Sequence, residues 1–302
     1  MTSTSLETFF ALNPVFTIEE ADRFLSARQD SGAANRATRQ ALLRYYVKQG
    51  RLRHVRRGLY TVARPSFDTG LGGIRPGGIG VGVGRDPSAE NDTSADTFLI
   101  ASRLTSDAVL AYHTALDLHG LAHSLREERI VLSEQKLVRP LLFAGIRYQA
   151  VQPPSALLLA DRMTLGVETQ DRQGLTVRVT GIERTLVDIL DRLALAGGWE
   201  EVWRAWESVN IALDFQFLLR YVQLLERGTT AAKLGYALET NQEQLSVPST
   251  ILEELHALAP RQPHPAQRGL RSGTRLIGAW NLLVPAADHS EPHSNEWHEE
   301  DL

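Results

Sequence analysis

The sequence predicts an α+β protein in two parts, a small helical segment closed by a basic hairpin and a larger mixed domain. Three observations predict it. The first 64 residues read as three short helices followed by two β-like runs. After residue 97 the apolar spacing switches irregularly between helical and strand periods. Between them lies a stretch with eight glycines from Gly70 to Gly84, which reads as a flexible linker over residues 65–96. A hydrophobic fraction of 43% over 302 residues is enough to fill real cores.

Taken in order, "SLETFFALNP" is a short amphipathic helix stopped by Pro14. "FTIEEADRFL" opens a second helix, with Thr17 and Glu20 at the capping-box spacing that satisfies free amides at a helix start. Ser31-Gly32 breaks the chain, and a third helix runs from about Asn35 to Gln49, ended by Gly50. Projected at about 100° per residue, this helix places Thr38, Ala41, Leu42 and Tyr45 on a core-facing stripe. Arg36, Arg39, Gln40 and Leu43 then fall on the opposite side, with Arg44 and Lys48 on the flank. "RLRHV" and "LYTVA" follow as a hairpin, with Gly58 able to take the positive φ of a tight turn.

In the larger domain, residues 97–285, "TFLIASRLTSDAVLAYHTALDLHGL" is helical in pattern. "ERIVLSE", "LLFAGIRYQAV" and "GLTVRVT" read as strands. "TGIERTLVDILDRLAL" reads as a helix opened by a second capping box, Thr180 to Glu183, with an apolar stripe of Ile182, Leu186, Ile189, Leu190 and Leu193. Three further helical segments follow from Gly197 to Leu245, and "RLIGAWNLLVP" closes the domain as a strand. Residues 286–302 form an acidic, His-containing tail that is expected to fray.

Composition narrows the function. The chain has no cysteine, which excludes disulfides, thiolate metal sites and cysteine nucleophiles and fits a reducing cytoplasm. The N-terminus lacks the basic and apolar regions of a signal peptide, and no apolar run reaches the ~18 residues of a membrane helix. The expected protein is soluble and cytoplasmic. Net charge is −4, yet residues 1–67 carry +6 and the remainder −10. No acid occurs between Ser31 and Phe67, a window holding nine basic residues. Such asymmetry points to a nucleic-acid-binding end. Because 29 of the 32 basic residues are arginine, the signal is their clustering and not their identity.

Three short helices and a basic hairpin are the parts of a winged helix-turn-helix, here residues 1–64. The N-terminal residues of its recognition helix reach base edges, here Arg36, Arg39 and Gln40. Arg51, Arg53, Arg56 and Arg57 on the hairpin would meet phosphates or enter a minor groove, and Arg44 and Lys48 on the flank of the helix complete the expected DNA-binding set. Other constellations carry less. His113, His119 and His123 lack metal-ligand spacing and read as core or helix-end residues. Glu183, Arg184 and Asp188 are explained by a cap and an i,i+4 ion pair. Glu134-Gln135-Lys136 has the E-x-K form of restriction-type nucleases without the preceding Pro-Asp. "GVGVGRD" lacks the ending of a phosphate loop. No catalytic residue, cofactor or metal is expected, so the chain reads as a non-enzyme.

"LLRYYVKQGRLRHVRRGLYTV", "DAVLAYHTALDLHGLAHS", "VTGIERTLVDILDRLALAGGWEEVWRAWESV", "AAKLGYALE" and "WNLLVP" together resemble the AbiEi family, in order over most of residues 8–285. Its members are antitoxins of bacterial type IV toxin–antitoxin systems. The resemblance implies a winged-helix domain that binds inverted repeats in its own promoter and represses it. It also implies an α+β domain that counteracts a nucleotidyltransferase-like toxin, with no stable complex required. Inverted repeats need two copies of the winged helix, supplied by a dimer or by monomers that meet on double-stranded DNA. The competing expectations are a ligand-responsive winged-helix repressor without a toxin partner, and a restriction-type nuclease.

Overall fold

A computed structural model describes residues 3–27, 36–63, 95–135, 139–267, 269 and 273–286. The glycine-rich stretch and the acidic tail therefore lie almost wholly outside the described residues. Mixed helices and sheets make the fold α+β, as the sequence predicts. The chain divides into two compact units that are discontinuous in sequence. Unit one holds Met1–Ala115, Leu125–Pro153 and Val167–Thr180, and unit two holds Leu116–Ser124, Pro154–Gly166 and Gly181–Leu302.

Unit one begins with α1 (Ser3–Leu12), β1 (Val15–Thr17), α2 (Ile18–Ala27), α3 (Arg36–Lys48), β2 (Leu52–Arg56) and β3 (Leu59–Val62). The capping box forms as expected: Thr17 N–H donates to Glu20 Oε2 at 2.7 Å, and Glu20 N–H donates to Thr17 Oγ1 at 3.2 Å. Gly58 turns the hairpin with φ of +80°. The sequence reading missed β1, whose three residues are too few to show a period. It pairs antiparallel with β3, with Phe16 opposite Tyr60, in a sheet ordered β1-β3-β2.

The expected phase of α3 is corrected. Leu43 and Tyr46 are buried with Phe9, Phe10, Phe16 and Leu52, whereas Ala41 is exposed and Tyr45 is 55% exposed. Of the expected stripe only Leu42 packs on this core, and the Thr38 side chain lies outside the described residues. The reason is tertiary. Positions 38, 41, 42 and 45 and positions 43, 46 and 47 both satisfy helical spacing, and the aromatic residues of α1 select the second. Phe10 meets Tyr46 edge-to-face at 5.3 Å.

The rest of unit one contains a six-stranded sheet ordered β6-β7-β5-β4-β9-β8. Its strands are β4 (Val109–Leu110), β5 (Glu128–Leu132), β6 (Leu141–Phe143), β7 (Ile146–Val151), β8 (Val167–Arg172) and β9 (Leu175–Thr180). The stretch from Thr97 to Leu121, read as helical, breaks into α4 (Thr97–Ser102), β4 and α5 (His113–Leu118). Asp96 caps α4, accepting from Phe98 and Leu99 N–H at 2.9 and 3.1 Å. A two-residue strand carries no readable period, but β4 bridges β5 and β9 near the middle of the sheet.

Unit two is mainly helical: α6 (Ser155–Leu159), α7 (Ile182–Asp191), α8 (Leu193–Ala196), α9 (Trp199–Glu207), α10 (Phe215–Leu225), α11 (Gly228–Thr240), α12 (Gln242–Leu245) and α13 (Ser249–Leu258). A small sheet adds β10 (His264–Pro265), β11 (Thr274–Ile277) and β12 (Leu282–Pro285). The closing segment, expected as one strand, is a hairpin folded at a 3-10 turn over Gly278–Trp280. The second capping box does not form. Thr180 ends β9, Gly181 is the N-cap without a side-chain bond, and Glu183 Oε1 instead accepts from Asp214 N–H at 3.1 Å. The apolar stripe of α7 packs as expected: Leu186, Ile189, Leu190 and Leu193 are buried and Ile182 packs against the same core. Among the described residues, no helix is long and apolar enough to cross a membrane.

Candidate nucleic-acid interface

Rotating α3 into its actual phase changes which of its residues face outward. Ala41, Arg44, Tyr45 and Lys48 form its exposed stripe. Gln40, Arg44 and Lys48 line one wall of an open groove of about 800 Å³. The opposite wall comes from the β2–β3 hairpin, where His54, Arg57 and Tyr60 face the groove. Ile18 and Glu19 at the start of α2 complete it. Arg44, Lys48 and Arg57 make no ion pair with any described residue, so three cations are left facing solvent beside one carboxylate, Glu19. Polar donors on a helix and a hairpin, arranged around an unneutralised concave surface, suit a polyanion.

The sequence-predicted contacts divide into three groups. Gln40, Arg44, Lys48 and Arg57 are brought together in the groove. Arg36 and Arg39 stand in the first turn of α3, with side chains outside the described residues. Arg51, Arg53 and Arg56 are engaged within unit one. Arg51 pairs with Glu7 at 3.1 Å and lies 5.2 Å from the centre of the Tyr46 ring. Arg53 lies 4.9 Å from the Phe143 ring centre, and Arg56 donates to the Leu104 carbonyl. Sequence reasoning missed His54 and Tyr60, which pack edge-to-face at 5.3 Å. Their cross-strand pairing was the available signal, because His54 stands opposite Tyr60 in the ladder.

The other constellations have settled roles. Arg184 and Asp188 are wholly buried and pair at 3.3 Å. Arg184 also donates to the carbonyls of Met163 and Leu165 at 2.9 and 2.6 Å, and Tyr221 O–H donates to Asp188 at 2.6 Å. Burial pushes the Asp188 pKa up, against the pull of Arg184 and the Tyr221 bond. The cluster is enclosed and ties α7 to α10 and to the chain before β8. His113 is buried, whereas His123 is exposed and bonds Ser208 Oγ at 2.6 Å. Among the described residues no three His, Asp or Glu side chains are grouped to hold a metal. Glu134 N–H donates to Asp107 at 2.7 Å, and Lys136 lies outside the described residues. Partial burial opposes ionisation of Asp107, but the Ser133 and Glu134 hydrogen bonds outweigh it and hold its pKa below the usual range.

No family model matches the chain, and no curated protein matches it either. Among solved structures it is similar to the crystal structure of the RV2827C protein from Mycobacterium tuberculosis. The TM-score is 0.51 at 16% identity, covering 93% of this chain and 90% of that one. At this identity the likeness is one of fold.

Proposed function

We propose that this chain is a winged-helix transcriptional autorepressor that binds double-stranded DNA, and the antitoxin of a type IV toxin–antitoxin pair. The observation that carries the DNA-binding half is the groove between α3 and the β2–β3 hairpin, where Gln40, Arg44, Lys48 and Arg57 converge without acidic partners on their own elements. Three helices with a sheet ordered β1-β3-β2 support the winged-helix reading. In that arrangement α3 enters the major groove, with Arg36, Arg39 and Gln40 nearest the base edges and Lys48 and Arg57 on phosphates.

The test is fluorescence anisotropy with the DNA upstream of the chain's own gene and with random duplex of equal length. Lys48→Gln and Arg57→Gln are expected to weaken both equally and to shallow the salt dependence by about 0.9 per lost phosphate contact. Gln40→Ala is expected to reduce discrimination by about 1–3 kcal/mol. Equal affinity of wild type for both duplexes would remove the repressor role. The antitoxin half rests on the resemblance of the "YHTALDLHG" and "ERTLVD" blocks, and it requires a nucleotidyltransferase-like gene beside its own. Co-expression should restore growth that the neighbouring product alone arrests, and unrelieved arrest would refute it.

A further inference from the structure

A second polar groove, of about 470 Å³, opens within unit one beside the first. Four arginines line it from four elements or their ends: Arg23 on α2, Arg56 on β2, Arg103 after α4 and Arg178 on β9. Two carboxylates answer them. Glu20 is engaged by Thr17 N–H and by Arg103 at 3.3 Å, and Glu19 is exposed. Arg56 and Arg178 each give one N–H to a backbone carbonyl, of Leu104 and Ser106, which holds the guanidinium without cancelling its charge. The buried Arg56 Nε has no protein partner among the described residues. Hydroxyls of Ser106 and Thr176 stand among the arginines.

We infer that this groove is a second phosphate site, which takes the sugar-phosphate backbone of the nucleic acid held in the first groove. The inference rests on the DNA-binding reading above. Two features favour a backbone over an enclosed small ligand. Binding pockets for small molecules are lined mostly by apolar side chains, and here only Ala108 and Val177 among the lining residues are apolar. The grooves are also contiguous. Both include Glu19, and the consecutive residues Arg56 and Arg57 line one groove each. A duplex seated against α3 and the hairpin turn can thus meet cations on both sides of the hairpin. Guanidinium and hydroxyl donors to phosphate oxygens fix position along the backbone without reading bases.

The test uses the full chain, a fluorescent random-sequence duplex three helical turns long, and a salt series read by anisotropy. Arg178→Gln and Arg23→Gln are each expected to weaken binding about three- to tenfold at low salt and to shallow the log–log salt slope by about 0.9. Neither change should alter discrimination between the upstream DNA and random duplex. Circular dichroism melting confirms that each variant is folded, and lost packing alone would not change a salt slope. If Lys48→Gln lowers the slope and Arg178→Gln and Arg23→Gln do not, the second groove is refuted and the first stands. If wild type binds no duplex, the DNA reading falls and this assignment falls with it. Inorganic tripolyphosphate provides the other arm. Stabilisation by tripolyphosphate that Arg178→Gln abolishes, with duplex binding unchanged, would make this a free-anion site and overturn the backbone assignment.

Discussion

Leu43 and Tyr45 are two positions apart on α3 and have opposite environments. Leu43 is 3% exposed against Phe10 and Phe16, whereas Tyr45 projects to solvent beside the Tyr46 ring. Leu43→Ala is expected to cost about 2–5 kcal/mol by urea denaturation, and Tyr45→Ser less than about 0.5 kcal/mol. The reverse ranking would restore the phase read from sequence. That phase was not legible locally, because α3 carries apolar side chains at 42, 43, 45, 46 and 47 and two stripes fit them. The basic character of the site was legible, since the absence of acids from Ser31 to Phe67 is a property of composition. Which arginines are spent on Glu7, Phe143 and the Leu104 carbonyl was not, because those partners are distant in sequence.

Among elements, those with long repeats or strong end signals were readable. The Thr17–Glu20 cap formed because both partners precede a helix with no competitor nearby. The same spacing at Thr180–Glu183 failed, since Thr180 is held in β9 and Glu183 reaches Asp214 instead. The closing hairpin was read as one strand because Ala279 and Trp280 continue the apolar run through its 3-10 turn, which masks the turn residues Gly278 and Asn281. Trp280 packs directly over Gly235 of α11, donates to Glu239 Oε2 at 2.6 Å and stacks on His256 at 3.7 Å. A methyl group at Gly235 would overlap the indole, so Gly235→Ala is expected to cost about 1–3 kcal/mol. A parallel loss of native tryptophan fluorescence would accompany it. An unchanged melting curve would show that the hairpin does not depend on this contact.

At the scale of the whole molecule, unit two contains a buried cation that makes stability depend on pH. Lys233 on α11 donates to the Leu190 carbonyl, and burial lowers its pKa to about 8 from 10.5, against the pull of Asp191. Arg227 adds a smaller push in the same direction, and itself pairs with Asp191 at 2.8 Å. Between pH 8 and 10.5 the unfolded chain holds a proton that the folded chain has released, so this group raises stability as pH rises through that window. Lys233→Met is expected to abolish that rise in urea midpoints, and an identical pH profile would exclude Lys233 as its source. The sequence by itself determined the α+β class, the capped second helix, the α7 stripe and the concentration of positive charge near the N-terminus. Each follows from composition or from contacts a few residues apart. Tertiary structure alone decided the phase of α3, the strands β1 and β4, and the split between free and engaged arginines. It also decided how distant stretches of chain combine into two units. These depend on partners tens of residues away, and a local period cannot encode which of two equivalent faces a distant aromatic cluster will cover.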